Sequence, residues 1–211
     1  MRHLALLALL ALAPALAAQD ARLAARLDAR TRAAVAAVVD SARAAGLPAE
    51  PLVDKALEGA SKRAPGARIV AAVRALAGEL ATARAALGAG ASDAELVAAA
   101  GALHAGTTAG ALSRLRAVRP REPLTVPLGV VTDLAARGVP ADSAAAVVLT
   151  VARTGGRDDD FLALRRDVEQ AIGSGVPPAA AAARARGLPF DRTRTTELRA
   201  GSGDAKPANR P

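Results

Sequence analysis

The stretch Gly46–Leu87, GLPAEPLVDKALEGASKRAPGARIVAAVRALAGELATARAAL, decides the fold. It reads as a Gly-x-Pro opening, a helix, a short break at Pro65-Gly66, and a second, longer helix. In the second helix Ile69, Val73, Leu76, Leu80, Ala83 and Leu87 recur at steps of four and three. That spacing places them on one stripe of a 3.6-residue helix and suits a partner helix lying nearly antiparallel. In the first helix Leu52, Val53, Ala56 and Ala60 mark the inward side. Pro48 and Pro51 fall near its first turn, where a helix tolerates proline.

Weaker copies of this plan open at Gly90, Gly138 and Gly175, so the openings at 46, 90, 138 and 175 are spaced by 44, 48 and 37 residues. Helix-hairpin arrays have periods of about 34–47 residues. Upstream, Val35, Val38, Val39 and Ala42 continue an apolar face behind a cap at Asp28 or Thr31, and Asp20 is a cap for an earlier turn. Downstream, Ser92 and Glu95 spell a capping box ahead of Leu96, Ala99, Ala100 and Leu103. Thr108 caps a short helix with Leu112, Leu115 and Val118. Thr125 is positioned to cap the next, and residues 119–124 (Arg119 to Leu124) read as a connector and a hinge between halves. Val147, Val148 and Val151, then Phe161, Leu164, Val168 and Ile172, mark two further helices, and Ala179–Arg186 a last one. No stretch of the body alternates apolar and polar residues in the manner of a strand. The expected fold is all-α: about eight to nine helices in antiparallel hairpins, stacked as a short α-solenoid-like array or an irregular bundle.

The two ends differ from the body. Arg2 and His3 precede Leu4–Leu12, an apolar run of Leu and Ala, then Pro14 and the Ala15-Leu16-Ala17 site. This is the order of a secretory signal peptide over residues 1–17, and its run is shorter than the ~20 residues a spanning helix needs. Export to the periplasm or beyond follows as an expectation, with a mature start at Ala18 and no membrane anchor after cleavage. The helical domain would cover residues 18–188, and the aperiodic Arg-, Thr-, Gly- and Pro-rich residues 189–211 would be a disordered basic tail.

Composition narrows the chemistry. There is no cysteine, which excludes disulfides and thiolate chemistry. Aromatics are 1% of residues, so there is no stacking platform for single-stranded bases or for sugar rings. The formal charge is +8, and 25 of the 28 basic residues are Arg. Such a surface can bind anions, although a chain rich in Ala, Arg, Gly and Pro together carries that charge by composition alone. The densest basic cluster, Arg114, Arg116, Arg119 and Arg121, is the candidate anion-facing site. His104 is the only histidine after the leader and cannot alone form a usual metal site. It is read as a helix C-terminal residue. Asp158, Asp159 and Asp160 suit the positive end of a helix better than a calcium loop. Asp54 and Glu58 read as rungs of a surface charge ladder.

No catalytic residue, cofactor or metal is expected. The functional expectation is an exported, non-catalytic helical repeat protein that serves as an interaction or scaffold module for a protein or peptide partner in the cell envelope. The alternative is a basic binder of an anionic envelope polymer or nucleic acid.

Overall fold

The computed structural model describes residues 21–187. The signal-peptide reading, the Asp20 cap and the tail at 189–211 lie outside the described residues. Among the described residues the chain is helical and contains no strand. After a helical turn at 21–24 come α1 (Ala29–Ala44), α2 (Glu50–Ser61), α3 (Gly66–Leu87), α4 (Asp93–His104) and α5 (Ala109–Val118). These are followed by α6 (Thr125–Ala136), α7 (Ala141–Arg153), α8 (Asp158–Gly173) and α9 (Pro178–Gly187).

The helices stop and start where short-range chemistry directs. One turn recurs six times, with its left-handed residue at Gly46, Arg63, Gly106, Gly138, Gly155 and Gly175. In each, that residue donates its N–H to the carbonyl three back, and the next N–H reaches the carbonyl five back, as in Leu47 to Ala42 and Val139 to Leu134. This pair of hydrogen bonds satisfies helix-terminal carbonyls and requires positive φ, which glycine adopts freely. Pro65 and Pro140, each two residues past the left-handed one, then sit at the cap of the following helix, so the turn is a stop and a start fused. The turn occurs at the openings (46, 138, 175) and at the breaks (63, 106, 155) alike, and the opening at Gly90 lacks it. There the positive φ belongs to Gly88. The recurring element is the joint between helices. The step from Gly46 to Arg63 and that from Gly138 to Gly155 are both 17 residues.

Caps follow the sequence with one exception. Asp28 accepts from the Thr31 N–H at 2.9 Å and the Thr31 hydroxyl at 2.6 Å. Thr108 accepts from the Ala111 N–H at 3.2 Å. Glu95 reaches back to the Ser92 N–H at 2.9 Å while the Ser92 hydroxyl accepts from the Glu95 N–H at 3.3 Å. Thr125, however, is the first helical residue, behind Leu124. Leu124 is fully buried, and that burial sets the chain's path into α6.

The described chain packs into two compact units, one through Ala100 and one from Gly101. In the first, α1, α2 and α3 run up, down and up. Thr31 at the start of α1 touches Gly66 at the start of α3, and Arg84 near the end of α3 donates to the Gly46 carbonyl after α1, at 3.0 Å. The stripe of α3 faces in as its spacing requires: Ile69, Val73, Leu80, Ala83 and Leu87 are buried and Leu76 is half-buried. Val35, Val39, Leu52 and Val53 close this core. In the second unit α6 and α8 are likewise parallel. Arg165 pairs with Asp133 at 2.7 Å and Arg137 with Glu169 at 3.6 Å, so the residue numbers rise together along both helices. Helix α7 runs back between them in the chain, α5 packs on α7, and α9 packs on α7 and α8. Leu128, Val131, Leu134, Val147, Val148, Phe161, Leu164 and Val168 fill this core.

Connector 119–124 lies inside the second unit, and the division falls within α4. The connector read as a hinge is bound by the Arg116 side chain, which donates to the carbonyls of Arg119 and Glu122.

Candidate functional site

The four arginines singled out by the sequence are set differently: Arg114 and Arg121 are exposed, Arg116 is half-buried and Arg119 is buried. Helix α5 carries Arg114 and Arg116 nearly opposite one another in angle, and only Arg114 is freely exposed. Arg116 reaches forward along the chain and donates to the carbonyls of Arg119 at 3.1 Å and Glu122 at 3.2 Å. Its guanidinium therefore holds the connector. Arg121 is exposed.

Arg119 points inward. It closes α5 with φ −123° and ψ 70° and is 7% exposed. Its Nη1 donates to the Gly156 carbonyl, Nη2 lies 3.8 Å from an Asp158 carboxylate oxygen, and the guanidinium sits 5.2 Å from the centre of the Phe161 ring. Phe161 is wholly buried. A charge taken out of water needs such partners: a carbonyl, a carboxylate and an aromatic face. Gly156 makes the approach possible. A Cβ there would lie 2.4 Å from Val151 Cγ1 and 2.8 Å from the Val151 carbonyl oxygen. Only glycine fits, and its carbonyl is left facing Arg119.

The three aspartates divide their tasks. Asp160 accepts from the Arg157 N–H at 2.7 Å, half of a capping box. The other half cannot form, since a guanidinium accepts no hydrogen bond. Asp158 faces Arg119, and Asp159 stays exposed. Arg119, Asp158 and Asp159, with Glu122 and Arg157, rim a groove of about 410 Å³ between the connector and the start of α8. The Glu122 carboxyl is held below the usual range, first by its own and the Arg121 backbone N–H and then by the Arg119 and Arg116 charges. The groove thus presents both signs, with its most buried cation already engaged.

A second hollow of about 300 Å³ lies between α6 and α8 and is lined by the Asp133–Arg165 and Arg137–Glu169 pairs. His104 is the last residue of α4 and is exposed. Among the described residues no three His, Asp or Glu side chains gather as a metal site would require. No described helix is long and apolar enough to cross a membrane.

Sequence reasoning found the arginine cluster and the aspartate run but not their meeting. The visible trace of it was the Gly155-Gly156 pair, where one glycine makes the turn and the next makes room. No family model, no curated protein and no solved structure matches the chain.

Proposed function

We propose that the chain is an exported, non-catalytic helical repeat protein that acts as an interaction or scaffold module in the cell envelope, periplasmic or secreted. The observation that carries this reading is the recurrence of one arrangement. In each unit a helix, the left-handed turn, a short helix of 12 or 13 residues and the turn again lead to a longer helix parallel to the first. Stacked rods of this kind offer broad, polar faces for protein or peptide partners, with stability arising from neighbour contacts. The leader-like residues 1–17 support export.

The test is direct. The full chain carrying a C-terminal tag is expressed in its native host and cells are fractionated. A mature start at Ala18 in the envelope or medium is the expected result, and retention in the cytoplasm with the leader intact would overturn export. Cross-linking of the exported chain at low and high salt then probes the module. A protein adduct that survives high salt supports an apolar-plus-polar interface. Adducts confined to low salt would favour the alternative, a basic binder of anionic polymer.

A further inference from the structure

The charge of the first unit is gathered at one end. The Thr31–Gly66 contact brings together the start of α1, the start of α3 and the turn between α2 and α3. Six basic residues lie there: Arg26, Arg30, Arg32, Lys62, Arg63 and Arg68. The five arginines make no ion pair with a described residue. The acids at this end are Asp28, engaged by Thr31, and Glu58, shared by Lys55 and Lys62. Elsewhere in residues 21–100 five basic side chains face six acidic ones. The positive excess of the unit therefore belongs to this pole.

Three placements there run against local stability. Arg30 and Arg68 stand in the first turns of α1 and α3, against the positive end of each helix dipole. Arg63 has φ 54° and is the only described non-glycine residue in the left-handed region. It occupies the site where the other five turns use glycine. Local rules broken together at one place point to a function for the side chains.

The geometry points to this pole as a docking face for an anionic phospholipid surface. Guanidinium groups match phosphate oxygens in paired hydrogen bonds. The face is made of helix ends and a turn, and neither of the two grooves described above is lined by its residues. The patch is compact, whereas a duplex would need an extended basic track. The large exposed apolar side chain among the described residues is Val97, on α4, so adhesion at the pole rests on charge and stays peripheral. This inference goes beyond the scaffold reading and does not depend on export.

The experiment is co-sedimentation of the purified full chain with phosphatidylcholine vesicles containing about a third phosphatidylglycerol, at matched lipid and rising salt. Binding is expected at low salt, with several-fold loss as salt rises through about 0.05–0.2 M, and none to phosphatidylcholine alone. The triple variant Arg30→Glu, Arg32→Glu, Arg68→Glu should lose binding by about tenfold or more, and it keeps the fold because acids suit helix starts. A control with the same charge change in the second unit, Arg121→Glu, Arg153→Glu, Arg166→Glu, should bind within about twofold of the parent. Equal loss in both variants would reduce the effect to net charge and overturn the pole, as would no loss in either. Tighter binding to duplex DNA than to vesicles at the same phosphate and salt would also overturn it. Arg63→Gly separates function from folding: the melting temperature rises by about 2–8 °C while vesicle binding falls. A rise in both, or a fall in both, contradicts the assignment.

Discussion

Gly66 shows how one residue's size can outweigh its propensity. At the first position of α3, alanine would ordinarily favour the helix by up to about 1 kcal/mol. Here a Cβ would lie 2.1 Å from the Thr31 hydroxyl, which is tied to Asp28. Gly66→Ala is therefore expected to destabilise the chain by about 1–3 kcal/mol in urea unfolding. Adding Thr31→Ala should recover a good part of that loss, a coupling that a double-mutant cycle measures. Stability equal to the parent would show that α1 and α3 do not start side by side. The sequence marked Gly66 as a break in a helical pattern but gave no sign of its neighbour, because Thr31 stands 35 positions earlier. Arg119 is the same lesson with charge. Its place in a basic cluster was plain, yet whether an arginine faces water or a waiting carbonyl depends on Gly156, which the chain delivers only after two more helices.

At the scale of the element most of the structure was legible. The steps of four and three in α3 named its buried stripe, and five of the six positions are buried. Leu76, half-exposed, marks where the stripe turns off the core. Leu80→Ala should then cost about 2–5 kcal/mol, and Leu76→Ala clearly less, when the two are compared by chemical unfolding followed by far-UV circular dichroism. Equal costs would mean that α3 is rotated from its described setting. Asp28, Ser92, Glu95 and Thr108 were readable as caps because capping is settled within four residues. Thr125 was not. Its side chain suits a cap, but Leu124 is drawn into the core and moves the helix start by one residue.

For the molecule as a whole, stability should depend on acid more than on base. The Glu58 carboxyl is lowered to about 2, first by Lys62 and then by Lys55, and Asp28 is lowered by the Thr31 hydroxyl and N–H. A lowered carboxylate contributes stability that is whole above its unfolded value, 4.5 for Glu58, and is lost as pH falls through the folded value. Unfolding midpoints should accordingly be flat near neutrality and decline between about pH 4.5 and 2, while the net positive charge grows. Glu58→Gln should flatten part of that decline by a small amount, since the group is exposed. An acid limb of unchanged slope would show that its lysine pairs carry nothing. The same charges, viewed together, are distributed unevenly: over residues 21–100 and 101–187 the two units have equal basic excess, and in the first it collects at one pole.

The sequence by itself determined that the described body is helical, where most helices begin and end, and which stripe of each faces inward. Those properties are written in contacts within about one turn of chain, and hydrogen bonds to near neighbours decide them. Only the tertiary structure decided which helix ends share a face, that Arg119 is spent on Gly156 and Phe161, that the connector is clasped, and that arginines from two helix starts and a turn form one pole. Side chains some 30–40 residues apart along the chain meet only when helices choose partners, and that choice rests on the shape of the packed core, to which no local pattern answers.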